Sequence, residues 1–247
     1  MKSKLALAGV LVFLYLFFVV ALIPANVAVG WFSLPKALKL GEVKGSVWQS
    51  EVSSLSFNQF DVQNITASVN PWSLLLLSPS ADITFGERLM SGPQGKAYVT
   101  LTANELMLSD TTINIAAGEI VPFIPLPIPV EAFGGVVLDI KQLSITSNEC
   151  IHASGTIHWR RSAVMALEQN IEFGDLKASI RCQNKMLALE IDPKNRLGLT
   201  YTALLSLGGK VSGQGYLKPG SDFPTALKQA LPFLGNADAQ GRYPLKF

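Results

Sequence analysis

Leu176-Lys177-Ala178-Ser179-Ile180-Arg181-Cys182-Gln183-Asn184-Lys185-Met186-Leu187-Ala188-Leu189-Glu190-Ile191 alternates apolar and polar residues on either side of a polar turn. Leu176, Ala178, Ile180 and Cys182 share one phase. Side chains two apart on a strand lie on one face, so this half reads as a strand with an apolar side and a polar side. Gln183-Asn184-Lys185 turns the chain, and Leu187, Leu189 and Ile191 resume the apolar set. The stretch is an antiparallel hairpin written in sequence.

The same pattern recurs outward in both directions. Upstream it appears as Leu55 and Phe57, Phe60 and Val62, then Ile65, Ala67 and Val69. Ile83 and Phe85 follow, then Ala97, Val99 and Leu101. Leu106 and Leu108 precede Asp110, and Ile113 and Ile115 follow it. Val136, Leu138 and Ile140 are succeeded by Leu143 and Ile145. Downstream, Leu197, Leu199, Tyr201, Ala203, Leu205 and Leu207 predict a long strand, and Gly208-Gly209 suits a tight hairpin. Where the phase changes, a turn or bulge is predicted, because a slip of one residue sends every apolar side chain to the opposite face. The expected fold is all-β, a mainly antiparallel, curved and twisted sheet or half-barrel with polar outer faces.

Two short helices are predicted beside it. Asn70-Pro71-Trp72 combines a capping residue with a proline suited to the first helical turn, so a helix is expected over 71–78. It carries Leu74-Leu75-Leu76-Leu77, expected to be buried under the sheet. Asp222-Phe223-Pro224 opens a second, over 223–234, whose stripe is Phe223, Leu227, Ala230, Leu231 and Leu234, with Gly235 ending it. Between the two, Val121-Pro122-Phe123-Ile124-Pro125-Leu126-Pro127-Ile128-Pro129-Val130 is apolar and dense in proline. Its prolines lack donors, so it is expected to be extended, at an edge or in a loop. Pro122, Phe123, Ile124, Pro125, Leu126, Pro127, Ile128 and Pro129 are the candidate surface for docking a partner. The other reading is a loop pinned over the core.

The N-terminus differs in kind. Nineteen uncharged residues, Leu5 to Ile23, follow Met1-Lys2-Ser3-Lys4. As a helix the run is about 28 Å long, enough to cross a bilayer core. It exceeds the usual apolar region of a signal peptide, and Pro24-Ala25-Asn26-Val27-Ala28 is a poor cleavage site. A retained single span over 5–23 is predicted, with 1–4 in the cytoplasm because Lys2 and Lys4 precede it, and 24–247 as an exported β-rich domain. Trp31 and Phe32 suit either the membrane interface or packing at the start of the first strand.

Composition bounds the chemistry. Net charge is +2 and charged residues make up 15% of the chain, so there is no electrostatic case for nucleic acid. Cys150 and Cys182 are the only cysteines. In an exported domain they predict a disulfide, the alternative being two buried thiols. Two cysteines and the nearby His152 do not make a zinc site, and no metal or cofactor is expected. There is no G-x-S-x-G, G-x-G-x-x-G, Walker loop or H-E-x-x-H. Ser33-Leu34-Pro35-Lys36 matches S-x-x-K without its partner motifs. His152 and His158 suit surface or pairing roles better than catalysis, since no carboxylate or nucleophile is close in sequence. The chain is expected not to be an enzyme.

Glycine precedes an aromatic in Gly45-Ser46-Val47-Trp48, in Gly155-Thr156-Ile157-His158-Trp159 and in Gly213-Gln214-Gly215-Tyr216. A strand glycine permits a bend or a close approach that an aromatic then covers. With the N-terminal apolar run, Asn70-Pro71-Trp72 and its leucines, Cys150, Cys182 and Pro219, these motifs run in an order that resembles the protein N family of the bacterial type II secretion system. The resemblance covers nearly the whole chain. It implies a single-pass inner-membrane subunit with its C-terminal domain in the periplasm, working with other secretion subunits to export folded proteins across the outer membrane. It implies no enzymatic activity and no established binding residues. On this reading the domain is a tethered binding module. The alternative is a membrane-rooted β-groove that binds or shuttles lipid.

Overall fold

In the computed structural model the described residues are Gly9, Leu11, Leu14, Tyr15, Phe18, Val19, 22–31, Pro35, 38–57, 60–87, 92–123, 129–166 and 169–246. The span predicted over 5–23 lies largely outside them. Among the described residues no helix is long and apolar enough to cross a membrane. The chain divides into two compact units, 1–91 and 92–247.

In the first unit a short helix, Ala25–Gly30, precedes β1 (Leu38–Leu40), β2 (Val43–Gly45), β3 (Gln49–Phe57) and β4 (Phe60–Val69). The helix Pro71–Leu75 then leads to β5 (Ser80–Phe85). The strands are antiparallel in the order β1-β3-β4-β5, with β2 also on β3. The phase change between Val62 and Ile65 has a local cause. Asn64 adopts a left-handed backbone, φ 50°, which turns the following side chains over to keep their apolar members inward. Asparagine tolerates that conformation better than most residues.

The second unit is an antiparallel meander. Its strands are β6 (Gln94–Leu101), β7 (Leu106–Ala116), β8 (Val130–Ile145), β9 (Cys150–Ala166), β10 (Gln169–Gln183), β11 (Met186–Ile191), β12 (Leu199–Leu205), β13 (Val211–Leu217) and β14 (Tyr243–Lys246), each paired with the next. The register collects the predicted apolar sets on one face. Ile113 lies opposite Leu138, Leu138 opposite Ile157, and Ile157 opposite Ala178. Ile180 lies opposite Leu189, Leu189 opposite Ala203, and Ala203 opposite Gly213. Each pairing keeps side chains on the same side, so one phase error would have broken the row. A second left-handed residue, Asp110 at φ 44°, accounts for the phase change in β7. Opposite it, the register skips Lys141, which keeps Ile140 and Leu143 in one core cluster.

Both hairpins predicted from sequence form. Asn184 and Lys185 take positive φ between the paired Gln183 and Met186, the geometry of a two-residue turn whose twist matches its strands. Ser206 N–H donates to Lys210 O at 2.9 Å around Gly208-Gly209.

Several expectations need correction. The helix predicted over 71–78 spans only Pro71–Leu75, and three of the four leucines expected beneath the sheet, Leu74, Leu76 and Leu77, are exposed. Leu77 takes positive φ, which ends the helix and directs the chain into β5. The helix predicted over 223–234 is interrupted. Thr225–Lys228 is helical, and Leu231–Leu234 forms a separate 3-10 turn. Pro232 explains the break, because it has no N–H to continue the ladder and disfavours helical geometry at Leu231. Of the proposed stripe, only Phe223 is fully buried. Val121-Pro122-Phe123 is not extended either. It forms a 3-10 turn continuing the helix Ala117–Ile120, as a proline with φ near −65° permits.

Candidate functional site

The second unit is held at one end by a compact arrangement around its two cysteines. Cys150 opens β9, and Cys182 lies near the end of β10. They are joined as a disulfide with Cα atoms 5.6 Å apart. Cys150, Ile140, Ala153 and Ile180 form the buried cluster, with Leu138, Leu143, Ile145, Ile157, Cys182, Leu187 and Leu189 packed around it. The β10–β11 turn is tied to the same point, since Cys150 N–H donates to Lys185 O at 2.8 Å and Lys185 Nζ lies 2.6 Å from Glu149 Oε1. The ion pair is solvent-exposed, so the disulfide and the apolar cluster dominate the stabilisation there.

A line of irregular residues crosses β8, β9 and β10. Gly134, Arg161 and Gly174 have positive φ, and the strand registers shift beside them. Gly134 admits no side chain, because a Cβ would strike the carbonyl oxygens of Arg160 and Arg161. Ser162, almost fully buried, donates from Oγ to Gly174 O at 2.6 Å. Arg161 N–H donates to Asp175 Oδ1 at 2.9 Å. That backbone bond holds the Asp175 carboxyl below the usual aspartate range; partial desolvation opposes the shift, and the His158 imidazole adds to it. His158 Nε2 approaches Asp175 Oδ2 to 3.4 Å without a formed hydrogen bond. Trp159 Nε1 donates to Phe133 O at 2.9 Å, and its ring meets Phe173 edge-on at 6.0 Å. Among the described residues no hydroxyl or thiol is hydrogen-bonded to His158, and the arrangement reads as a polar stitch across a bulge.

Among the described residues no group of three or more His, Cys, Asp or Glu side chains is placed to hold a metal. Of the S-x-x-K segment only Pro35 is described. The candidate docking segment is described in part. Pro122 and Phe123 sit in the 3-10 turn and Pro129 just before β8, while Ile124, Pro125, Leu126, Pro127 and Ile128 lie outside the described residues. The helix Ala117–Ile120 and the turn both pack on β8. Phe123 in that turn is 40% exposed, and on the sheet Phe133 is 43% and Met165 41% exposed. Phe133 pairs with Ala163 and Met165 with Glu131, so Phe133 and Met165 are diagonal neighbours on β8 and β9. Sequence reasoning missed both; the paired glycines of Phe133-Gly134-Gly135 are the signal that an irregular stretch begins there. The edge strand β14 is a poorer template for a partner, since it is short and carries Pro244 and Lys246.

The strand glycines are covered from the side rather than by the aromatic that follows them in sequence. Gly213 and Gly215 on β13 lie under the ring of Tyr201 on β12, and Gly155 approaches the β8 backbone at Asp139 and Ile140. The order of these motifs nevertheless points to a family, as direct comparison shows.

Residues 36–246 match the family described as Type II secretion system (T2SS), protein N. A protein from Aeromonas hydrophila named Type II secretion system protein N is 30% identical over the whole of this chain and 98% of its own length. Proteins of the same name are 26% identical in Vibrio cholerae, over 92% of this chain and 90% of the relative, and 25% identical in Klebsiella pneumoniae, over 100% and 96%. No solved structure matches the chain. With a family match across most of its length and relatives aligned end to end, this chain belongs to the type II secretion system protein N family.

Proposed function

We propose that this chain is a single-pass subunit of the type II secretion system, rooted in the inner membrane by residues 5–23, with residues 1–4 in the cytoplasm and the β-rich body, 24–247, in the periplasm. Its work is docking rather than catalysis: the body engages other secretion subunits and supports export of folded proteins. Family membership places the chain in type II secretion. The uncharged run after Lys2 and Lys4 supports the anchor and its direction. The disulfide supports an oxidising compartment for the body.

The observation that carries the docking reading is the pair of exposed apolar side chains Phe133 and Met165, diagonal neighbours on β8 and β9, with Phe123 also exposed in the turn that packs on β8. Apolar side chains grouped on a surface mark contact sites, and aromatic residues and methionine are enriched at such interfaces. Photo-crosslinkers placed at Phe133, Met165 and Pro129 in secreting cells should capture another secretion subunit. Finding only uncrosslinked chain at all three positions, with secretion intact, would overturn this docking surface.

A second reading is lipid binding on the apolar face of the second unit. Leu187, Leu189, Leu199 and Leu205 on that face are half-buried rather than sealed. Phospholipid detected by mass spectrometry in the body purified without detergent favours it, and its absence counts against it.

A further inference from the structure

We propose that the tip formed by the helix Pro71–Leu75 and the two residues after it is a second membrane contact, inserted into the interface of the bilayer that holds the N-terminal run. The inference rests on the anchored reading above and adds a surface to it.

The tip is apolar on the outside and polar on the inside. Trp72 is 74% exposed, Leu76 77% and Leu77 85%. No charged residue occurs between Asp61 and Asp82. Its hydrogen-bonding groups are turned inward and paired. Asn70 Oδ1 accepts from Trp72 N–H at 3.0 Å. The buried Ser73 donates from Oγ to Asn70 O at 2.6 Å and accepts from Ser80 N–H at 2.9 Å. Leu77 N–H reaches Leu74 O and Ser78 N–H reaches Ser73 O, both at 3.1 Å. A segment that pairs these polar groups within itself while turning Trp72, Leu76 and Leu77 outward suits a bilayer interface.

Position selects the bilayer over a protein partner. Ile23, the last residue of the N-terminal apolar run, accepts a hydrogen bond from Val47 N–H at 3.1 Å. Pro24 bridges to Ser46. The next residue along, Trp48, accepts from Val69 N–H at 2.8 Å, and Val69 leads directly into Asn70 and the tip. Two hydrogen-bonded strand spacings, about 10 Å, separate the end of the apolar run from the base of the tip. A span ending at Ile23 therefore leaves this tip within reach of the headgroup region. Leu22 at the end of the run, Val27 on the helix Ala25–Gly30 and Trp31 just after it are exposed as well.

The test uses the full-length chain in nanodiscs made with brominated phospholipid, which quenches nearby tryptophan. The Trp72 component is the difference in emission between the wild-type chain and Trp72→Phe. It should fall by at least half in brominated discs relative to ordinary ones. Leu76→Glu with Leu77→Glu should restore it, while circular dichroism and the disulfide stay unchanged. Alkaline carbonate extraction of native membranes runs in parallel. A chain that resists extraction but whose Trp72 is unquenched overturns this contact alone and returns the tip to a protein partner. A chain that is extracted overturns the anchored reading, and this inference with it.

Discussion

Tyr201 packs over Gly213 and Gly215, and this one side chain shows how the second unit closes its gaps across strands. Gly213→Val should displace the ring and cost about 1–3 kcal/mol, read as a lower urea midpoint. Combined with Tyr201→Ala, the loss should be smaller than the sum of the two, because both act on one contact. Asp175 makes a different prediction. Its folded-state pKa lies below that of the unfolded chain, chiefly through the Arg161 N–H. Its contribution is therefore complete above the ordinary aspartate range near ~3.9 and is lost as pH falls through the lower folded value. Asp175→Asn keeps the acceptor and removes the charge. It should unfold more easily than wild type at neutral pH, and the two should converge in acid. A gap that widens on acidification would contradict the assignment.

At the scale of elements, the disulfide joins β9 to β10 across 32 residues of chain. Replacing both cysteines by serine should cost about 2–5 kcal/mol, measured by denaturant unfolding of the oxidised wild type beside the variant. An unchanged midpoint would show that the apolar cluster alone holds that end. Most strands were legible in the sequence because period-two alternation survives wherever one face is apolar, as Leu176 to Ile191 shows. The turn at Asn184-Lys185 was legible because it is built from residues with local preferences. The broken helix was not, because the stripe from Phe223 to Leu234 has helical spacing and hides the effect of Pro232. Nor was the fate of Leu74, Leu76 and Leu77: hydrophobicity says that leucine leaves water, not whether it enters a core or meets a membrane. The line through Gly134, Arg161 and Gly174 escaped for a third reason. Arginine carries no local preference for positive φ, so only the assembled strands reveal it. Of the proposed docking surface, the sequence offered the prolines of 122–129 but gave no sign of Phe133 or Met165.

At the scale of the whole molecule, family membership sets the system in which the chain works; the stem, the membrane-facing tip and the docking surface are the roles proposed for its parts. All depend on the body lying outside the cytoplasm. Removing residues 5–23 while supplying a cleavable export signal should release a folded, oxidised body and abolish secretion, scored by the exported proteins in the medium; undiminished secretion would make the stem dispensable. The most direct measurement is accessibility in intact spheroplasts. Protease added outside should digest the body while a cytoplasmic marker survives, and Cys150 and Cys182 should resist alkylation until reductant is added. A body that stays protected until the inner membrane is lysed, with both thiols free to react, would contradict the account.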